Sequence, residues 1–485
     1  MTYEEKIEKL FARTPSFQQV GAAAYKPGLE TMLEFDALLG NPSRRLRCIH
    51  IAGTNGKGSV SSMLAAALSG GSGAEGERGG DCGNGAGGEN CVDGMQNVCE
   101  TIDATLAGGG QPTGGRRIGL YTSPHLTDFR ERIKIVSEDG FEMIPRQAVE
   151  EFLDTYDGFI ESRRPSFFEI TTAMAFWYFA AAGVDMAVIE CGLGGRLDST
   201  NIITPLVSII TNIGLEHTAF LGDTLQKIAF EKAGIIKPGR PVVIGEINDS
   251  TRPVFEKAAA ERGCEIVFAP ELPLDLNPDC LDLPGEYQRQ NLATVAAALE
   301  ILRAHYGIEA DTSRLEHSAH LTGLHGRWEK LASSPDVICD IGHNAHGLRR
   351  VFDQLRAVAP QYRHIFIIFG VVSDKDVEAI APLMIEPDGT PDGAPVSTPA
   401  SGRLAQKPGG NVSYILTQPS TQRAMPVDQL AATLERYGIT GITAPTVAEA
   451  MAIARQSATP ADLIFIGGSN FTVSDAYPVF RCPDR

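Results

Sequence analysis

At 485 residues with 43% hydrophobic content, the chain can bury a sizeable core and is long enough for two or three domains. Its 42 basic against 60 acidic residues give a net charge of -18, which repels nucleic acid and anionic membrane and leaves any anionic ligand to be held by local groups. The nine cysteines, from Cys48 to Cys482, are scattered, odd in number and form no CxxC pair, so reduced thiols in the cytoplasm are expected.

The first ten residues, MTYEEKIEKL, start an acidic amphipathic helix, unlike the basic region and apolar run of a signal peptide. After the strand-like CIHIAG comes Gly53-Thr54-Asn55-Gly56-Lys57-Gly58-Ser59, followed by the helix former SVSSMLAAAL. Glycines there let backbone N–H groups close around phosphate oxygens, and Lys57 can neutralise them; a glycine-rich turn with a solvated lysine is the alternative. Gly58 stands where the common phosphate loop has Ser or Thr, so a metal-binding hydroxyl has to come from elsewhere. The Gly-rich segment 70–117 reads as a disordered insertion, and 386–411, rich in Pro, Gly and Ser, as a flexible loop. The longest charge-free apolar stretch, between Glu169 and Asp185, is shorter than the ~20 residues a membrane span needs.

Short runs rich in β-branched residues recur along the chain: RLRCIHIAG, DMAVIECG, LVSIITNIG, PVVIGE, DVICDIG, HIFIIFGVV and DLIFIGGS. They alternate with helical periodicity, which predicts an α/β protein of parallel sheets covered by helices, with ligands outside the carboxyl ends of the strands. Glu190 ends one run and His217 follows another, and both residue types are acceptable metal ligands. Between two runs, the loop 192–201 carries one cation, Arg196, and one anion, Asp198. Asp223 with Gln226 makes a capping-box start for the next helix, placing Leu225, Ile228, Ala229 and Lys232 on one face. A lysine on an apolar face is desolvated, its pKa falls, and a neutral amine can capture CO₂.

Several motifs in order resemble the folylpolyglutamate synthase and bifunctional dihydrofolate synthase members of the Mur ligase superfamily: HIAGTNGKGS, YTSPHLTDFRERI, FFEITTAMAF, ECGLGGRLDSTN, TNIGLEHTAFLGDTLQKIAFEKAGIIKPG, YQRQNLATVAAAL, GRWE, DIGHNAHG and GGSNF. The resemblance implies an N-terminal P-loop ATPase domain (1–324) and a smaller C-terminal Rossmann-like glutamate-ligase domain (325–485), with ATP and glutamate bound between them. It implies that Ser123, Glu190 and His217 bind Mg²⁺, that Lys232 is carbamylated, and that Arg196 and Asp198 hold the pterin-bearing substrate. Asn291 would contact adenine, Arg327 the ATP phosphates, and Asp340 would serve ATP, with His343 and Ser469 at the glutamate site. A monovalent cation is a further candidate. His325 stands where many relatives have proline, and in DIGHNAHG Gly342 and Ala345 replace alanine and proline.

The implied activity is ATP-dependent addition of L-glutamate to dihydropteroate, to the glutamate tail of tetrahydrofolate, or both, by a monomer that uses neither nucleic acid nor membrane. Alternatives are a synthase that only extends folate tails, another Mur-type amino-acid ligase, a nucleotide-dependent switch that releases phosphate without glutamate, and a degenerate paralogue.

Overall fold

The computed structural model describes residues 1–14, 26, 28–71, 115–385 and 412–480; all but the ends of the 70–117 segment, and all of 386–411, lie outside the described residues. Two compact units emerge. One holds the described residues up to Asp282 together with Arg289–Leu324, the other Leu283–Gln288 and the residues from His325 onward.

The first unit is built on an eight-stranded sheet of order β4-β3-β2-β5-β1-β6-β7-β8. Its strands are β1 (Cys48–Ala52), β2 (Ile118–Tyr121), β3 (Ile133–Ser137), β4 (Gly140–Met143), β5 (Met186–Glu190), β6 (Val207–Ile210), β7 (Val242–Ile244) and β8 (Ile266–Phe268). From β2 to β8 neighbours run parallel, and only the β2–β3–β4 edge is antiparallel. β1 and β5 are buried at every position, as strands covered on both faces are, and carry mainly apolar side chains, with His50 and Glu190 the polar exceptions. The pairings Ile51↔Glu190 and Ala52↔Ile210 bring the carboxyl ends of three central strands side by side.

The stretch that follows Glu169 folds as the helix Phe167–Ala181. Ser166 and Glu169 form a reciprocal capping box at its start, and buried Phe176, Trp177 and Phe179 each contribute roughly 2–3 kcal/mol of apolar burial. Among the described residues no helix is long and apolar enough to cross a membrane.

The second unit has a six-stranded sheet of order β13-β12-β11-β14-β10-β9. It comprises β9 (Glu329–Ala332), β10 (Asp336–Cys339), β11 (Ile365–Phe369), β12 (Val412–Thr417), β13 (Gly441–Ala444) and β14 (Leu463–Gly467), all parallel except β9. Helices Ala345–Val358 and Val427–Glu435 pack on it through Leu348, Val351, Phe352, Leu355, Leu430 and Leu434.

Candidate active site

The chain leaves β1 at Ala52 and turns through Gly53 at φ 154° and Gly56 at φ 82°, where the helix Lys57–Ser69 begins. Both turns need glycine: a Cβ at Gly53 would lie 1.9 Å from Thr211 Oγ1, and one at Gly56 2.4 Å from Asn291 Oδ1. The loop after β6 pins the turn. Asn212 accepts from Thr54 N through its carbonyl (3.1 Å) and from Asn55 N through its side chain (2.9 Å). Thr211 Oγ1 donates to Asn55 O at 2.6 Å, and Thr54 Oγ1 accepts from Gly214 N at 2.9 Å. Ser59 and Gly58 are buried in the first turn of the helix, and Lys57 is half-buried, its Nζ on the carbonyls of Gly53 (3.0 Å) and Thr54 (3.2 Å). A rigid glycine turn opening a helix, with an adjacent ammonium, can cradle polyphosphate.

Lys232 reaches the same turn from the helix Leu225–Ala233, donating to Gly53 O at 2.9 Å. Ile228, Ala229 and Lys232 are buried on one face and Leu225 is half-buried. Burial, then the charge of Lys57, pushes the Lys232 ammonium down to about 7. The cap of this helix differs from the sequence reading: Thr224, in an extended conformation, accepts from Lys227 N at 3.3 Å. Asp223 is exposed and pairs instead with Lys227 Nζ at 2.9 Å, one residue too early to reach the helix's free N–H groups.

Glu190 is buried at the end of β5, and its Oε2 lies 3.4 Å from Ser123 N in the loop that follows β2. His217, half-buried after β6 at φ 51°, has Nε2 3.8 Å from Glu216 Oε1. Among the described residues no group of three His, Cys, Asp or Glu side chains could hold a metal. Glu190 offers one buried carboxylate, a donor of the kind Mg²⁺ takes, since that ion keeps several waters and binds through one or two carboxylates plus phosphate oxygens. The sequence reading assigned nothing to Arg132 and Lys134. Both are buried, and burial pushes them down to about 10 and about 8, with attraction to Glu190 among the offsetting effects. Arg132 Nε donates to His125 Nδ1 at 2.8 Å, two residues past Ser123. The signal available was two cations at alternate positions of ERIKI, a spacing that puts both on one face of a strand.

In the loop 192–201 the cation and anion take different partners. Arg196 is exposed and pairs with Glu231 at 2.9 Å. Asp198 is buried: Oδ2 accepts from Gly192 N (2.9 Å) and Leu193 N (2.8 Å), Oδ1 from Thr200 N (3.0 Å) and Thr200 Oγ1 (2.5 Å). Burial raises its pKa, with these hydrogen bonds opposing the shift. Four donors occupy both oxygens, so in this geometry Asp198 braces its own loop.

In the second unit, Asp340 is buried at the end of β10. Its Oδ2 accepts from Tyr287 Oη (2.6 Å) and Trp328 N (2.9 Å), its Oδ1 from Gly342 N (2.7 Å). Arg327 is half-buried, with Nη1 3.3 Å from Gly326 O. His343 Nδ1 lies 3.0 Å from Ile341 O, and Asn344 caps the helix Ala345–Val358 through Gly347 N at 2.7 Å. Ser469 is buried and caps the helix Asn470–Ala476, accepting from Thr472 N at 3.1 Å.

Comparison with known proteins places this geometry in a lineage. Residues 326–470 match the family model described as "Mur ligase, glutamate ligase domain". A Bacillus subtilis protein named dihydrofolate synthase/folylpolyglutamate synthase is 30% identical over 380 residues, spanning 72% of this chain and 76% of that protein. The chain belongs to the folylpolyglutamate synthase/dihydrofolate synthase family. Another member of wider extent, a Haloferax volcanii protein described as a probable bifunctional folylpolyglutamate synthase/dihydropteroate synthase, is 27% identical over 504 residues, covering 98% of this chain and 50% of that protein. The chain thus spans about half the length of the haloarchaeal relatives it matches. Among solved structures, Mycobacterium tuberculosis folylpolyglutamate synthase complexed with ADP and AMPPCP superposes with a TM-score of 0.71 at 26% identity, over 100% of both chains. The family's two mixed, mostly parallel sheets are therefore this chain's fold.

Proposed function

We propose that the chain is an ATP-dependent ligase that joins L-glutamate to dihydropteroate, to the glutamate tail of tetrahydrofolate, or to both, as a cytosolic monomer. The reading is supported most directly by Lys57 and Lys232 meeting on the Gly53 carbonyl of a glycine turn whose strand lies beside the one ending in Glu190. Family membership and the ADP and AMPPCP bound by the mycobacterial relative support ATP as the phosphoryl donor.

Carboxylate and amine do not condense in water, so the acceptor carboxylate oxygen attacks the γ-phosphorus, ADP leaves, and an acyl phosphate forms. The glutamate amine then attacks the acyl carbon, and phosphate leaves as the amide bond closes. Lys57 and Arg327 offset charge on the transferring phosphoryl group, and Asn291, packed beneath Gly56, fixes the loop that holds the nucleotide. Glu190, with Ser123 and His217, would hold a divalent cation, whose chemistry is to stabilise charge on phosphate oxygens. The neutral amine of Lys232 is suited to take up CO₂ as a carbamate. The match of residues 326–470 to the glutamate ligase domain supports glutamate as the amine donor, with His343 and Ser469 as the candidate residues for it on this chain.

Phosphate release from ATP by the purified protein tests the proposal, with and without L-glutamate, on dihydropteroate and then tetrahydrofolate. Glutamate-dependent release with both acceptors establishes the bifunctional ligase, and with tetrahydrofolate alone a tail-extending synthase. Release that ignores glutamate would refute ligation.

A further inference from the structure

Arg327 is the residue to which the proposed function gives phosphate charge, and its backbone is held from both sides within the second unit. On one side Gly326, at φ 70°, donates its N–H to Glu329 Oε2 at 2.6 Å. On the other, Trp328, a non-glycine residue at φ 50°, donates its N–H to Asp340 Oδ2 at 2.9 Å. That conformation is rarely adopted by a bulky side chain and persists only where its surroundings over-determine it.

Glu329 also gathers two side chains from outside the turn. Its Oε1 pairs with His325 Nδ1 at 2.9 Å, and its Oε2 accepts a short hydrogen bond from the Tyr477 hydroxyl. The rings of His325 and Tyr477 meet edge to face, with centroids 5.6 Å apart and planes at 70°. Burial works against the Glu329 charge, yet the bonds from His325, Tyr477 and Gly326 win and hold its pKa below the usual carboxylate range. Tyr477 comes from the far end of the chain, so the clamp ties the turn to an element 148 residues away.

We infer that Glu329, held by His325 and Tyr477, is a positioning residue that sets the Gly326–Trp328 turn and so the direction in which Arg327 presents its guanidinium. The inference rests on the proposed phosphate role of Arg327. Arginine recognises phosphate through a planar fork, and rotating its backbone misaims the fork without removing its charge. Loss of the clamp therefore acts on the aligned transition state more than on ATP binding.

Two measurements test it, one independent of activity. Trp328 is one of only two tryptophans, the other being Trp177. In a Trp177→Phe chain, Glu329→Gln and Tyr477→Phe should each shift Trp328 emission to longer wavelength as the turn opens; unchanged emission overturns the clamp whatever the enzyme does. In the ligation assay, Glu329→Gln should lower kcat roughly 10–100-fold, as loss of an orienting partner does, with KM for ATP nearly unchanged. Combined with Arg327→Ala it should add almost nothing further. Additive losses would overturn the positioning role, because a residue serving stability alone lowers activity whether or not Arg327 is present. If emission shifts and no variant or parent ligates glutamate, the functional proposal fails while the clamp stands.

Discussion

Lys57 and Lys232 share one acceptor, their ammonium nitrogens lying 3.0 and 2.9 Å from the carbonyl oxygen of Gly53. Lys57 is half-buried and keeps access to water, whereas Lys232 is 4% exposed and bears the cost of burial. Unfolded, the Lys232 amine titrates near 10.5; folded, it titrates near 7. Between these values the unfolded chain binds more protons, so this group's contribution to stability is complete above the upper value and lost as pH falls towards the lower. The slope approaches about 1.4 kcal/mol per pH unit in that window and vanishes below it. Lys232→Met should remove the slope. Urea unfolding of both chains from about pH 6 to pH 10 measures it, and parallel curves would contradict the desolvated lysine.

The same neutral amine should carry a carbamate. Labelled bicarbonate should give a carbonyl carbon resonance in the parent chain that is absent from Lys232→Ala. Lys57→Met removes a repelling cation, raises the Lys232 pKa and should weaken the signal at neutral pH. Full ligase activity in Lys232→Ala would exclude a role for the carbamate.

Glu190 sits 3.4 Å from Ser123 N with Arg132 and Lys134 placed to attract it. Glu190→Gln keeps the shape and removes the charge a divalent cation needs. The Mg²⁺ concentration for half-maximal activity should rise by roughly tenfold or more, and direct Mn²⁺ titration should weaken in parallel. An unchanged metal dependence would move the metal elsewhere.

What the sequence disclosed follows from burial. All seven β-branched runs became strands, because strands covered on both faces carry few polar positions, here His50, Glu190 and Ser208 among them, to blur the pattern. The edge pair Ile133–Ser137 and Gly140–Met143 and the short Glu329–Ala332 and Gly441–Ala444 carry polar residues or few apolar ones, and no run announced these, the short Ile118–Tyr121 and Ile266–Phe268, or Val412–Thr417. Strand ends located Glu190 and the glycine turn. The partner of Arg196 was hidden, since Glu231 lies 35 residues away, whereas Asp198 is satisfied inside its own loop by Gly192, Leu193 and Thr200, and only the His50 bond to Thr200 reaches 150 residues away. Spacing within a loop cannot reveal long-range partners. The misplaced cap at Asp223 is a one-residue error between two good cappers, decided by which hydroxyl or carboxylate meets Lys227 N.

Gly56 separates conformational strain from collision. Gly56→Ala must adopt φ near 82° and bring a Cβ to 2.4 Å from Asn291 Oδ1. Nucleotide affinity should fall at least tenfold, corresponding to about 1.4 kcal/mol. Adding Asn291→Ala clears the collision but leaves the backbone cost of roughly 1 kcal/mol or more, so stability should recover in part. Equal stability of the single and double variants would show that Asn291 does not press on this loop.

Thr200 joins two buried groups, Asp198 and His50, whose Nε2 also lies 3.1 Å from Cys191 Sγ. Its Oγ1 lies 2.5 Å from Asp198 Oδ1 and 2.8 Å from His50 Nε2. With the hydroxyl proton given to the carboxylate, His50 must carry its proton on Nε2, leaving Nδ1 a buried acceptor without a partner. Burial, and secondarily Lys237, pushes His50 down to about 3, so the imidazole stays uncharged and the chain of bonds keeps one polarity. Thr200→Val preserves the shape and strips one donor from Asp198 and the acceptor from His50. The cost should be about 2–4 kcal/mol in urea unfolding, whereas Thr200→Ser, which keeps the hydroxyl, should stay within about 1 kcal/mol of the parent. If valine and serine cost the same, the loss comes from packing of the methyl group, and the loop 192–201 is held without the His50–Thr200–Asp198 chain.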